Sequence, residues 1–137
     1  MKITNTEVQY LYSWLNAPLH GEQARARNKF AKIIKDQYEK SLSGRTDILK
    51  KYADKDKKTK EAIIKDGLYQ MPDTTLEKAK ADMNKFLDKE TIYEVTKSEK
   101  PLIRIIVKIL NDAKIPLDIA NGEIYDQIMT ELEKVSK

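Results

Sequence analysis

Apolar residues recur every three or four positions over most of this chain, which is the spacing of one helical face. Thr4 and Glu7 have the capping-box spacing that predicts the start of a first helix, and Pro18 ends that helix. This helix is apolar nearly all round, because Tyr10 and Trp14 lie opposite its main apolar face. It is therefore either packed on both sides or presents an aromatic surface.

A second helix is predicted over residues 22–42 and a short third helix over residues 45–53, with Ser43 and Gly44 as the stop between them. Later helices are predicted over residues 73–89, 98–113 and from about 121 onwards. The Pro101–Ala113 helix is apolar over more than half of its circumference. We therefore expect this helix at the centre of the helical part.

Three segments have the composition of strands, at residues 60–64, 68–72 and 91–96. Asp66-Gly67 lies between the first two and is a strong hairpin signal. Two strands alone are marginal in water, so the third is expected to join them. The sequence predicts a single α+β domain over residues 1–137, mostly helical with five to six helices and a small three-stranded antiparallel β-sheet.

The net charge of +4 is unevenly distributed. Residues 22–60 hold 13 Lys and Arg against 6 Asp and Glu, a net charge of +7, whereas residues 61–137 hold 12 against 15, a net charge of −3. An electrostatic partner should therefore meet the first of these segments.

Five cations of the basic segment are candidate binding residues. Arg25, Lys29 and Lys32 point outward on the second helix, and Lys50 and Lys51 extend the same surface. Contact with a polyanion or an acidic protein surface is one interpretation. The other is plain solvation, because runs of charge commonly form a wet surface whose ion pairs contribute little to stability.

Arg27 differs from the other cations of the second helix, because it lies at the edge of the apolar stripe. A partly buried guanidinium needs a carboxylate partner. Asp126 on the last helix is the candidate, so Arg27 and Asp126 are predicted to form a structural ion pair.

The sequence carries no motif that indicates catalysis. Cysteine is absent, and His20 is the only histidine, which leaves no triad or thiolate site. Asp54 and Asp56 resemble the start of a calcium loop, but Thr59 and Lys65 stand where that loop needs glycine and glutamate. We therefore expect a non-enzymatic protein with no cofactor and no metal site.

Nothing in the chain has the length and composition of a membrane-spanning segment. The longest nearly apolar run, Pro101–Leu110, is interrupted by Arg104 and Lys108 and is far shorter than the roughly 20 residues that a spanning helix needs. The first residues contain no apolar signal core. These features predict a soluble intracellular protein.

Three short motifs carry a resemblance to a known group of proteins. They are Gly21-x-x-x-Arg25-x-Arg27-x-Lys29-Phe30-x-Lys32, Tyr52-Ala53-x-Lys55-Asp56 and Ile124-Tyr125-Asp126. Together they make the chain resemble a family of small proteins of unknown function from phages and prophages of Gram-positive bacteria. The resemblance implies a phage gene acting in the cytoplasm of the bacterial host, and implies no mechanism.

The leading functional hypothesis is a phage-encoded interaction protein that binds a host or host-defence protein. If they are exposed, Tyr10 and Trp14 are candidate anchors for such a partner. One alternative is a minor virion or assembly component. Another is an accessory protein that binds nucleic acid non-specifically through residues 22–60. Sequence-specific DNA binding ranks below these, since no recognition helix is apparent.

Overall fold

The computed structural model describes residues 1–137 and contains five α-helices and four short strands. In chain order the elements are β1 (Lys2–Thr4), α1 (Asn5–Leu15), α2 (Gly21–Tyr52), β2 (Ile64–Lys65), β3 (Leu68–Tyr69), α3 (Asp73–Leu87), β4 (Glu90–Ile92), α4 (Lys100–Asp112) and α5 (Ile119–Ser136). A 3₁₀ turn over Lys97–Glu99 leads into α4. The prediction of a mostly helical α+β fold is confirmed.

Helix α1 begins where its capping box predicts. The Glu7 amide donates a hydrogen bond to Thr4 Oγ1 at 3.0 Å, and the Thr4 amide donates to Glu7 Oε1 at 2.9 Å. These two bonds satisfy amides that the first turn of a helix leaves without an intrahelical partner.

Helix α2 is one continuous helix of 32 residues, and the predicted stop at Ser43 and Gly44 is wrong. Gly44 lies inside this helix and faces the ring of Phe86 on α3, where an added methyl group would overlap the ring. The glycine therefore permits the close approach of two helices and does not serve as a helix cap.

The predicted three-stranded sheet is replaced by two separate two-stranded antiparallel sheets. β1 pairs with β4, with Ile3 opposite Thr91, and β2 pairs with β3. The β2–β3 hairpin does turn at Asp66 and Gly67, whose φ angles of 53° and 77° are typical of a type I′ turn. β4 thus pairs with β1 and not with the hairpin.

Helix α1 contacts all four other helices and packs most extensively against α2. Helix α4 packs mainly against α5 and α2 and also contacts α1. Val8, Leu11 and Leu15 of α1 are fully buried together with Phe30 and Ile34 of α2. The apolar circumference of α1 thus reflects packing on several sides. Ile103, Ile106, Ile109 and Leu110 of α4 are buried in the same core.

The caps before helices α4 and α5 lie ahead of the predicted helix starts. Thr96 forms a capping box with Glu99 around the 3₁₀ turn that leads into α4. Asp118 caps α5 by accepting a hydrogen bond from the Asn121 amide at 2.8 Å, which moves the start of α5 two residues earlier than predicted.

A buried polar network ties β1, α2 and the segment after β4 together. Gln37 Nε2 donates to the Ile3 carbonyl at 2.8 Å, and the Tyr93 hydroxyl donates to Gln37 Oε1 at 2.7 Å. Burial, with a smaller contribution from the Asp36 charge, raises the pKa of Tyr93 to about 12. Both polar atoms of the buried Gln37 amide are thereby satisfied.

None of the five helices combines the length and the apolar composition required to cross a lipid bilayer.

Candidate functional site

The basic segment of the sequence forms two separate surfaces on α2. Arg25, Lys29 and Lys32 are exposed near its beginning, and Lys50 and Lys51 are exposed at its end. Lys32 and Lys50 are 18 positions apart in the helix, which is about 27 Å at 1.5 Å per residue.

Charges in the middle of α2 neutralise one another. Lys35 lies 3.7 Å from Glu39, and Lys40 lies 2.9 Å from Asp36. Both pairs have the i, i+4 spacing of neighbours on one helical face. The net charge of residues 22–60 therefore does not describe one continuous surface, and each end of the helix has to be assessed separately.

At the beginning of α2, a groove of about 700 Å³ separates this helix from the start of α4. Arg25 and Lys29 line it, but so do Glu22 and Glu99, so the cations are balanced by an equal number of carboxylates. Hydrogen bonds from the Thr96 hydroxyl and amide lower the pKa of Glu99 and keep it ionised. This groove is therefore close to neutral overall.

At the end of α2, a cleft of about 650 Å³ lies between the helix, the following loop and the β2–β3 hairpin. We call it the lysine cleft. Its lining residues are Lys50, Lys51, Lys55, Lys60, Glu61, Ala62, Ile64 and Tyr69. Four lysines against one glutamate give the lining a net charge of +3. Lys50 and Lys51 were predicted as binding residues, whereas the contributions of Ile64 and Tyr69 required the fold.

The loop that carries two of these lysines is held by Asp56. Its Oδ1 accepts hydrogen bonds from the Lys58 amide at 2.8 Å and the Thr59 amide at 2.9 Å. These bonds, the Thr59 one first, lower the pKa of Asp56. The Lys60 amide donates to the Asp56 carbonyl at 2.9 Å, and Lys60 has a φ of 64°. Asp56 therefore organises a tight turn, which explains the local pattern that resembled a calcium loop.

The β2–β3 hairpin presents a different face to each side. Ile64 and Tyr69 are directly opposite in the ladder, as are Lys65 and Leu68. Successive strand residues point to opposite faces. Ile64 and Tyr69 line the lysine cleft, while Lys65 and Leu68 lie on the other face. Ile64 is 58% exposed and Leu68 is 70% exposed, so both faces offer apolar surface to solvent.

The lysines of the cleft are only weakly neutralised by the protein itself. Lys51 lies 3.8 Å from Asp82, an exposed pair, and Lys55 Nζ donates to the Lys50 carbonyl. Neither Lys50 Nζ nor Lys60 Nζ has an ion-pair or hydrogen-bond partner. Exposed pairs contribute about 0 to 1 kcal/mol. Most of the positive charge is therefore available to a ligand.

Tyr10 and Trp14 are partly buried and pack against the core. Their ring centroids are 5.5 Å apart, and the Trp14 ring meets the edge of Tyr125 on α5 at 5.6 Å. Trp14 thus contributes to the contact between α1 and α5, and Tyr10 packs against Trp14. A second aromatic pair, Tyr12 stacked on Tyr38 at 4.0 Å, was not anticipated because it joins two helices.

The predicted ion pair between Arg27 and Asp126 is wrong. Arg27 is partly buried as expected, but its Nη1 donates to the Leu15 carbonyl at 2.8 Å and to the Ala17 carbonyl at 2.7 Å. Asp126 is exposed and forms no ion pair. Carbonyls at a helix end lack intrahelical donors and carry partial negative charge, so they satisfy the guanidinium in place of a carboxylate.

Elsewhere on the surface, no group of three or more His, Asp or Glu side chains is arranged to hold a metal ion. Comparison with known protein families, curated proteins and solved structures finds no match to this chain.

Proposed function

We propose that this chain is a non-enzymatic, phage-encoded interaction protein that binds an acidic surface of a host or host-defence protein in the bacterial cytoplasm. The phage origin depends on the resemblance of the three sequence motifs. The mode of binding depends on the lysine cleft.

The observation that carries the proposal is the convergence of four lysines on one cleft with exposed apolar surface. Lys50 and Lys60 have no partner, and the neighbouring Ile64 is more than half exposed. A cluster of apolar contacts ringed by charge is the usual anatomy of a protein-binding site. The groove beside Arg25 and Lys29 has no net charge, so it attracts an acidic partner less strongly than the lysine cleft does.

A capture experiment tests the proposal. The protein, with an affinity tag at its carboxyl end, is incubated with nuclease-treated lysate of a Gram-positive host. We expect one protein to be retained in near-stoichiometric amount and to be lost when Lys50 and Lys60 are both changed to Glu, because the reversed charges repel an acidic surface.

The matched control reverses Arg25 and Lys29 to Glu, which changes the net charge equally at the other end of α2. We expect this variant to retain the partner. Retention by both variants, or loss from both, would refute the assignment to the lysine cleft.

Recovery of nucleic acid from untreated lysate in place of a protein would favour the nucleic-acid alternative. Detection of the protein in purified phage particles by mass spectrometry would favour the virion alternative.

A further inference from the structure

The lysine cleft combines two kinds of surface, four lysines and an apolar strip formed by Ile64 and Tyr69. We propose that it receives an extended acidic segment of the partner, in which an apolar side chain between carboxylates packs on Ile64 and Tyr69. This inference rests on the proposed function, since it concerns the same cleft, and it adds the chemistry of the segment that is bound.

The first requirement on the bound segment is negative charge. The lining has a net charge of +3, and Lys50 and Lys60 lack partners within the protein. A ligand that carries several carboxylates would complete pairs that the protein leaves open. A volume of about 650 Å³ lies within the range of pockets that enclose small ligands, so the cleft admits a short segment of chain.

The apolar strip distinguishes an acidic peptide from single-stranded nucleic acid. Proteins that bind nucleic acid without sequence preference stack successive bases on several aromatic rings. Tyr69 is the only aromatic side chain in the lining, and beside it lies the aliphatic Ile64. An aliphatic side chain offers no planar surface for a base, but it packs well against Leu or Phe. The composition therefore favours a peptide.

The Lys60 backbone adopts a conformation that is uncommon for lysine. Its φ of 64° lies in the left-handed region, where glycine and asparagine are favoured and a lysine is uncommon. Backbone strain of this kind is concentrated at binding and catalytic sites. Lys60 nevertheless lines the cleft.

Two fluorescent 12-residue peptides and one oligonucleotide serve as probes in anisotropy titrations at 150 mM salt. The first peptide alternates Glu with Leu, the second alternates Glu with Ser, and the oligonucleotide is a single-stranded 12-mer of thymidine. We expect the Glu/Leu peptide to bind most tightly, because only this probe satisfies both the lysines and the apolar strip.

Paired variants of the hairpin locate the binding site. Ile64→Thr removes apolar surface from the cleft face, and Leu68→Thr makes the same change on the opposite face. Lys60→Gly and Lys65→Gln each remove one positive charge, the first from the cleft lining and the second from the opposite face of the hairpin. We expect Ile64→Thr and Lys60→Gly each to weaken binding of the Glu/Leu peptide by about threefold to tenfold, and their matched controls by less than about twofold.

Three results would overturn the inference. They are equal binding of the two peptides, tighter binding of the oligonucleotide than of the Glu/Leu peptide, and equal effects on the two hairpin faces. Concentration-dependent self-association that the Lys60→Gly variant abolishes would also overturn it, by making a second copy of this chain the occupant.

The two proposals fail separately. If a lysate partner is captured through Lys50 and Lys60 but neither peptide binds, the proposed function stands and the extended acidic segment is excluded. If the Glu/Leu peptide binds on the cleft face but no host protein is captured, the chemistry of the cleft stands and the host partner is excluded.

Discussion

The Phe86 ring of α3 lies directly against Gly44 in the interior of α2. A side chain at position 44 would occupy the space of the ring, so the two helices approach as closely as they do because this residue is glycine. The contact explains why a glycine persists inside a 32-residue helix despite the unfavourable helix propensity of glycine.

Gly44→Ala is therefore expected to destabilise the protein. The substitution gains about 1 kcal/mol of helix propensity, but overlap with the ring costs about 1 to 3 kcal/mol. We expect a net loss of about 1 kcal/mol in the free energy of unfolding, measured by urea denaturation. In a Phe86→Leu background the same change should cost less. Equal costs in both backgrounds would show that the ring is not the cause.

Arg27→Met should destabilise the protein by about 1 to 3 kcal/mol, since methionine keeps the aliphatic volume but leaves the Leu15 and Ala17 carbonyls without their charged donor. Urea denaturation measures the change. Asp126→Asn is the control and should change the free energy of unfolding by less than about 0.5 kcal/mol. A large effect of the Asp126 substitution would mean that Asp126 does form the ion pair with Arg27 that the sequence predicted.

Stability should decline at alkaline pH through Tyr93. The folded state raises the pKa of this hydroxyl from 10.0 to about 12, because burial disfavours the phenolate. The neutral hydroxyl therefore contributes its full stabilisation below pH 10, and that contribution is lost as the pH rises towards 12.

Urea denaturation at pH 9 and pH 11 measures this loss, and Tyr93→Phe provides the comparison. The phenylalanine variant should be less stable at pH 9, because Gln37 loses its donor, and should lose less stability between the two pH values than the parent protein. Identical pH dependence in the two proteins would assign the alkaline effect to other groups.

Lys60→Gly should leave the fold intact or stabilise it. Glycine adopts the φ of 64° without the strain of about 1 to 2 kcal/mol that other residues incur there, although it also gains freedom in the unfolded chain. We expect a change in the free energy of unfolding between zero and about +1 kcal/mol. Lys60→Ala is the comparison and should show no such gain. A destabilised glycine variant would mean that the lysine side chain supports the loop.

Sequence motifs that span only a few residues predicted the local structure correctly. The capping box of Thr4 and Glu7 begins α1, and Asp66-Gly67 forms the hairpin turn. Each depends on hydrogen bonds or backbone angles within one turn of chain, so the sequence contains all the information required. The outward positions of Arg25, Lys29 and Lys32 follow from the helical period in the same way.

Predictions that required a distant partner were less successful. Nothing near Gly44 in the chain indicates Phe86, 42 positions later, and nothing near Ile3 indicates the strand at Thr91. Arg27 showed by its position that it is partly buried, but its acceptors are carbonyls at the end of another helix. Backbone acceptors have no signature in a sequence, and this is why a carboxylate was chosen.

By itself, the sequence determined the helical character, the local caps and turns, and the concentration of positive charge in residues 22–60, because these depend on short-range periodicity and composition. The tertiary structure decided where that charge can act. The uninterrupted length of α2 separates two basic surfaces, and the folding of the hairpin against its end brings Ile64 and Tyr69 beside Lys50 and Lys60. Contacts between residues distant in the chain depend on packing, which periodicity does not encode.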